Sequence, residues 1–196
     1  GNGFFNPLPL RMWGRRNLRE VLTTGRPVFT GKLIVDYKNG KTDVIITDDS
    51  WNFTTGPILK NNVYIGEVYD SGKEIIGWDK ARFDDSSWEK AKAVAGPGGQ
   101  LQNAFFPPVQ ITRRIRPVDI YSPEEGIYIT DMGVNFTGIY RIRLKGNPGD
   151  TITFRFGERI YGDGSLNPMT TVCGQIKSEG TGGPGSPDIA WQTDVY

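Results

Sequence analysis

In several segments of the chain, apolar residues recur at every second position, with polar residues between them. The alternation is clearest at 140–144 and at 151–156, where aromatic or aliphatic residues exchange with arginine and threonine. This period is typical of antiparallel strands that bury one face. The pattern predicts an all-β fold of antiparallel β-sandwich modules, jelly-roll-like, with at most one or two short helices.

A β-hairpin is predicted at 33–47. Two apolar runs, 33–37 and 44–47, flank the dipeptide Asn39-Gly40. Asn-Gly tolerates positive φ at both central positions of a type I′ turn, whose twist suits paired strands. We therefore expect a type I′ turn at this dipeptide.

Two short helices are compatible with the pattern. One is predicted at 83–92, where Glu89 follows Ser86 by three residues and completes a capping box. The other is predicted at 17–22. A composition break at 96–99, which reads Gly-Pro-Gly-Gly, favours a linker there. These signals divide the chain into three segments, 1–95, 96–118 and 119–196.

Composition excludes several classes of function. The 196 residues include 23 Lys and Arg, 22 Asp and Glu and no histidine. The net charge of +1 gives no electrostatic footprint for nucleic acid or for an anionic membrane. Without histidine, His-based triads and His-ligated zinc are excluded. The single cysteine, Cys173, cannot form an internal disulfide, and we interpret it as a small buried apolar residue.

Targeting signals add little. No apolar run reaches the length of a membrane span, so we predict no membrane partner. Residues 1–10 lack the charged and apolar regions of a signal peptide. The compartment cannot be read from these residues.

A mixture of tryptophans, acids, amides and tyrosines occupies 48–88, which holds three of the five tryptophans. Aromatic faces stack on sugars, while carboxylates and amides bind hydroxyls or hold a hard cation. Acceptors at 61, 62, 67 and 70 could gather around one sugar or one Ca²⁺, which needs about six to eight oxygens. The alternative is that these are core aromatics and water-facing turn residues.

The order of motifs in this stretch resembles the accessory β-sandwich region of bacterial α-L-rhamnosidases, glycoside hydrolase family 78. The family pattern is similar to D-x-S-W, G-P-I, N-x-x-Y-x-G-E-x-Y-D, G-W and D-x-S-W, and it is matched here at 48–51, 56–58, 61–70, 77–78 and 84–88. The motif D-x-G-x-N-x-x-G at 131–138 resembles the family's second sandwich, as do the G-E and D-G pairs at 157–158 and 163–164.

The resemblance implies an accessory fragment of an enzyme that releases terminal L-rhamnose from plant or bacterial glycans. Residues 1–95 would be part of a first, carbohydrate-binding-module-like sandwich, 96–118 a linker and connecting strand, and 119–196 part of a second sandwich. The family's catalytic acids lie in a downstream (α/α)6 barrel, and no segment here has its repeated amphipathic helices. We therefore assign no catalytic residue and predict that the chain alone is inactive. The expected partners are a rhamnose-containing glycan and the remainder of a parent polypeptide, which is expected to be periplasmic or secreted.

Some family members use the first sandwich as a calcium-assisted rhamnose-binding module. The resemblance carries the sugar-binding role to Asn61, Asn62, Tyr64, Glu67 and Trp78, and the calcium role to Asn61, Asn62, Glu67 and Asp70. Position 61 is Asn rather than an acid, which should weaken Ca²⁺ binding. The alternatives are a purely structural spacer and a cell-surface adhesion module, because β-sandwiches host unrelated functions.

Overall fold

The computed structural model describes residues 11–12, 16–17, 24–62, 66–96, 100, 102, 104–172 and 192–196. Within them the regular structure is strands and two single-turn 3-10 helices, Ser71–Lys73 and Pro168–Thr170. The predicted all-β class is confirmed. Strands β1 to β14 are Arg11–Met12, Arg16–Asn17, Lys32–Asp36, Thr42–Ile46, Asn52–Phe53, Ile58–Asn62, Gly66–Tyr69, Glu89–Lys90, Asp119–Glu124, Ile127–Asp131, Thr153–Arg155, Arg159–Ile160, Leu166–Asn167 and Thr193–Val195.

The largest sheet has four strands in the order β11-β14-β7-β6. β6 and β7 pair antiparallel, as do β11 and β14, whereas β14 joins β7 in parallel through the pair Val195 and Val68. This sheet unites strands from 58–69 with strands from 153–155 and 193–195. The predicted division at 95 and 118 stays a prediction, and most of the predicted 96–99 linker lies outside the described residues.

The hairpin predicted at 33–47 is confirmed, with β3 and β4 in register from Lys32–Ile46 to Asp36–Thr42. The predicted type I′ turn is wrong. A type I′ turn needs positive φ at both central residues. Gly40 has φ of +83°, but Asn39 does not have a positive φ, since Arg82 is the non-glycine residue with this conformation in the described part of the chain. The Tyr37 amide donates to the Lys41 carbonyl at 2.8 Å, which leaves a three-residue loop with a left-handed glycine. The Asn39 side chain closes the loop by accepting from the Lys41 amide at 3.0 Å.

The helix predicted at 83–92 is wrong. The chain instead turns at 86–88 and enters β8, which pairs with β5. The Asp84 carboxylate accepts from the Ser86 amide at 3.1 Å, so it caps a turn rather than a helix. Pairing with β5 gives this backbone hydrogen bonds that a helix would have had to supply internally. Of the helix predicted at 17–22, Asn17 lies in β2 and the rest is outside the described residues.

The alternating segment at 140–144 is not assigned as a strand, whereas 151–156 contains β11. Aromatic side chains from the predicted apolar faces of the two segments nevertheless pack against each other. The Tyr140 ring lies 5.0 Å from that of Phe154 and 5.5 Å from that of Phe156, between centroids. Side-chain packing has therefore formed here without the backbone ladder that the pattern predicts.

Apolar side chains of the hairpin remain accessible on both faces. Leu33 and Ile34 are neighbours with opposite orientations in β3, and both are about half exposed, as are Val44 and Ile45 in β4. None of the described residues whose exposure is assigned is fully buried. Exposed apolar surface of this extent is informative, because it marks a face that another element would cover.

Candidate functional site

Strands β6 and β7 bring two predicted site residues together. Their register pairs Asn61 with Glu67 and Asn62 with Gly66. Residues directly opposite each other in an antiparallel pair project to the same face, with Cβ atoms about 4.5–5.5 Å apart. The amide of Asn61 and the carboxylate of Glu67 therefore lie side by side on one face of the four-stranded sheet.

The other predicted site residues are placed differently. Asp70 caps the turn Ser71–Lys73, where its Oδ1 accepts from the Gly72 amide at 3.0 Å and its Oδ2 lies 3.8 Å from Lys73 Nζ. Trp78 stands on the following turn with 65% of its surface exposed. Tyr64 lies outside the described residues.

The described residues do not form a complete calcium site. They contain no group of three or more acidic or cysteine side chains close enough to hold a metal ion. Asn61 and Glu67 could supply two oxygens, well short of the about six to eight that Ca²⁺ takes. Asp70 is already engaged by an amide and an ammonium group. A calcium role for these residues stays a prediction.

A shallow cavity of about 180 Å³ opens beside Glu67. It is lined by Glu67, Tyr69, Tyr140, Asp194, Val195 and Tyr196. The rings of Tyr69 and Tyr196 are stacked, with centroids 5.4 Å apart and planes inclined by 12°. Val68 and Val195 are paired, so their side chains project to the same face of the sheet. Their chain neighbours project to the other face, where the cavity lies; these neighbours are Glu67, Tyr69, Asp194 and Tyr196.

Asp194 ties the cavity together. Its Oδ1 accepts from the Glu67 amide at 2.8 Å, and its Oδ2 accepts from the Tyr140 hydroxyl at 3.1 Å. Burial, followed by the negative charge of Asp194, raises the pKa of Tyr140 to about 12. The Tyr69 hydroxyl donates to Glu74 Oε1 at 2.7 Å, and this hydrogen bond is the main cause that raises the pKa of Tyr69 to about 12. Both tyrosines stay protonated donors throughout the physiological range.

A glycine makes the contact between β7 and β14 possible. Gly66 has φ of +80°, a conformation that L side chains rarely adopt. A Cβ at this position would overlap the carbonyl oxygen of Thr193 and come within 2.6 Å of its carbonyl carbon. The glycine of the G-E-x-Y-D motif is therefore required for close approach of the two strands.

Sequence reasoning missed most of this cavity. Tyr69 lies within the motif at 61–70, but the family resemblance implies no role for it. Tyr140, Asp194 and Tyr196 are far from this motif along the chain. Glu67 and Asp194 are separated by 127 positions, and their contact depends on a parallel pairing that no local pattern announces. The glycine at 66 was the available signal, since it marks close backbone approach.

The alpha-L-rhamnosidase N-terminal domain model matches residues 1–113, and the bacterial alpha-L-rhamnosidase concanavalin-like domain model matches 122–181. The chain therefore belongs to the bacterial α-L-rhamnosidase family.

Full-length relatives are much longer than this chain. An alpha-L-rhamnosidase of Streptomyces avermitilis is 30% identical over 145 residues, which is 72% of this chain and 14% of the relative. One from Alteromonas sp. is 31% identical over 147 residues, 74% of this chain and 16% of the relative. The chain spans about a seventh to a sixth of the length of the relatives that it matches.

Solved α-L-rhamnosidase structures are also similar to this chain over a small part of their length. The alpha-L-rhamnosidase from Dictyoglumus thermophilum is 39% identical with a TM-score of 0.70, over 84% of this chain and 17% of that one. The Streptomyces avermitilis enzyme complexed with L-rhamnose is 27% identical with a TM-score of 0.72, over 85% and 15%.

Proposed function

We propose that this chain is a non-catalytic accessory region of an α-L-rhamnosidase-like glycoside hydrolase and that it binds or orients rhamnose-containing carbohydrate. The observation that carries the proposal is the side-by-side placement of Asn61 and Glu67 on a sheet face that continues into a tyrosine-lined cavity. The family match to N-terminal and concanavalin-like domains supports an accessory role.

The chemistry of the described acids favours a non-catalytic role. A glycosidase needs a carboxylic acid whose pKa is raised so that it can protonate the leaving group. In the described part of the chain, the carboxyl groups with shifted pKa values are Asp48, Asp84 and Asp163, and each pKa is lowered, mainly by a hydrogen bond from the serine two positions on. Such acids hold turns together and are poor proton donors at neutral pH.

The chemistry of the sheet face favours a sugar. An amide both donates and accepts, a carboxylate accepts, and together they suit vicinal hydroxyls. The exposed indole of Trp78 could stack on an apolar ring face if a glycan extends to its turn. The Streptomyces avermitilis enzyme was solved in complex with L-rhamnose, which makes this sugar the first ligand to test.

Titration of L-rhamnose into the 196-residue chain, followed by NMR, tests the proposal. Affinity should be weak, on the order of millimolar to high micromolar, because a monosaccharide has few atoms with which to offset its lost hydration. Titrations with calcium and with chelator separate calcium-assisted binding from calcium-independent binding. Glu67→Gln should weaken binding, whereas Glu125→Gln in the exposed β9–β10 turn should not. A lack of saturable shifts in either buffer would reject sugar binding.

A structural spacer is the second candidate. The half-exposed apolar residues on both faces of the β3–β4 hairpin favour it, because such faces are suited to packing against another element. A spacer would unfold cooperatively on heating, as a folded domain does, and its NMR signals would not respond to rhamnose.

A further inference from the structure

We propose that the cavity lined by Glu67, Tyr69, Tyr140, Asp194, Val195 and Tyr196 is a second carbohydrate subsite, which takes one non-acidic pyranose unit and rejects acidic sugars. The inference deepens the proposed function and rests on it. It adds a site that the sequence motifs did not indicate, and it assigns the class of sugar.

The size and walls of the cavity suit one ring. Its volume of about 180 Å³ is close to that of a cavity of roughly 150 Å³ that takes one benzene ring, so it has room for one six-membered ring. The stacked pair of Tyr69 and Tyr196 forms one aromatic wall, and Tyr140 stands on the other side, supported by Phe154 and Phe156. Tyr140 and Tyr196 are both about half exposed, so a ligand can reach their rings.

The polar groups of the cavity are arranged to accept hydrogen bonds. The hydroxyl hydrogens of Tyr69 and Tyr140 are directed to Glu74 and Asp194. The ionised carboxylates of Glu67 and Asp194 can only accept hydrogen bonds, and the Glu67 backbone amide already donates to Asp194. A ligand that fits must therefore donate, and the hydroxyl groups of a sugar donate in several directions.

The charge of the cavity sets its selectivity. Glu67 and Asp194 both line this cavity, and the negative charge of each helps to raise the pKa of Tyr140. A carboxylate or sulfate group on the ligand would add a third negative charge to this small volume, and like charges at such distances repel. An ammonium group would be attracted by the carboxylates and by the tyrosine faces. Glucosamine should therefore bind at least as well as glucose, and glucuronate should bind worst.

Both family domains contribute to the cavity. Glu67 and Tyr69 come from the N-terminal domain match, Tyr140 from the concanavalin-like match, and Asp194 and Tyr196 from β14 and its end. The cavity exists only where β14 joins β7. A subsite of this kind would hold a neighbouring sugar of the glycan in a fixed position relative to both domains.

NMR titrations of the 196-residue chain with glucose, glucosamine, glucuronate and L-rhamnose test the proposal, with the ring signals of the cavity tyrosines as the readout. These signals should shift in a saturable way with glucose and glucosamine, and glucuronate should bind about tenfold more weakly or less. Glu67→Gln should narrow that difference.

Tyr196→Leu removes the stacked wall and should weaken binding of all non-acidic sugars about tenfold or more. Tyr196→Phe keeps the wall and should bind like the wild type, which separates loss of stacking from loss of fold. Tyr128→Leu, on the exposed surface of β10, is the matched control and should change nothing. The melting temperature of each variant reports its folding.

The two proposals fail in different ways. Binding of L-rhamnose with unchanged cavity ring signals, and with unchanged affinity in Tyr196→Leu, would overturn the subsite and leave the proposed function standing. Equal affinity for glucose and glucuronate would overturn its charge selectivity. If no sugar shifts any signal, both proposals are wrong.

Discussion

Replacing Gly66 with alanine should disrupt the junction between β7 and β14. Alanine at φ of +80° costs about 1–2 kcal/mol in backbone strain. The added Cβ would also overlap the Thr193 carbonyl oxygen and lie 2.7 Å from Asp194 Oδ1, so β14 must move away. Backbone atoms, unlike the tip of a flexible side chain, cannot yield locally to relieve such an overlap.

Moving β14 removes two interactions of the junction. The hydrogen bond from the Glu67 amide to the charged Asp194 is worth about 1.5–3 kcal/mol, and the Tyr69–Tyr196 stack about 0.5–1.5 kcal/mol. Together with the strain, the expected loss is about 3–6 kcal/mol, a large part of the roughly 5–15 kcal/mol that stabilises a typical protein. Urea denaturation followed by fluorescence measures the free energy of unfolding.

Gly40→Ala is the matched control. Gly40 has φ of +83°, nearly the value at Gly66, but a Cβ there would meet nothing within 4 Å. This variant should lose only about 1–2 kcal/mol. The difference between the two variants isolates the close approach of β7 and β14. Equal losses in the two variants would refute the reasoning, because strain alone would then account for both.

Three further predictions concern individual side chains. Trp78→Ala should melt close to the wild-type temperature, since the indole is 65% exposed, and should weaken L-rhamnose binding if the sugar reaches that turn; a collapsed melting temperature would show a core role. Asp194→Asn should lower the pKa of Tyr140 from about 12 towards its ordinary 10.0, which absorbance titration of tyrosinate measures. Stability from that raised pKa is present below pH 10 and is lost as the pH rises through about 12, so the variant should be less sensitive to alkali. The lowered pKa values of Asp48, Asp84 and Asp163 stabilise the fold above the unfolded value of 3.8, and this stabilisation is lost as the pH falls. Replacing the serine partners Ser50, Ser86 and Ser165 with alanine should therefore make the free energy of unfolding fall less steeply with decreasing pH, which urea denaturation at several acidic pH values measures.

Sequence patterns predicted the β3–β4 hairpin, but they did not predict the type of its turn or the structure of 83–92. The β3–β4 hairpin follows from two apolar runs around a turn dipeptide, but its three-residue loop gives a register one residue away from that of a two-residue type I′ turn. The turn type was missed because the Asn39 side chain accepts a hydrogen bond from Lys41, an option that competes with left-handed backbone at Asn39. The capping-box sequence at 86–89 likewise did not form a helix, because pairing of β8 with β5 satisfied the same backbone groups.

Of the candidate site, the sequence predicted the pair Asn61 and Glu67 through the spacing of a family motif. It could not predict Asp194 or Tyr196, since their placement depends on a parallel pairing across more than a hundred residues. Non-local pairings of this kind are set by the whole fold and leave no periodic trace in either strand. Trp78 shows the opposite case, in which a conspicuous residue of the motif is placed on an exposed turn away from the cavity lining.

The junction of β7 and β14 connects stability with recognition. Asp194 is the residue through which the two effects are joined, because one of its oxygens accepts from the β7 backbone and the other positions Tyr140. Any change that separates the strands must therefore both lower stability and open the aromatic cavity. A ligand that bridges the cavity walls would in turn bind only the joined state, and it would stabilise that state in proportion to its occupancy. Sugar binding in the cavity should consequently raise the melting temperature of the wild type more than that of Gly66→Ala, whereas the two should respond alike to a ligand bound elsewhere.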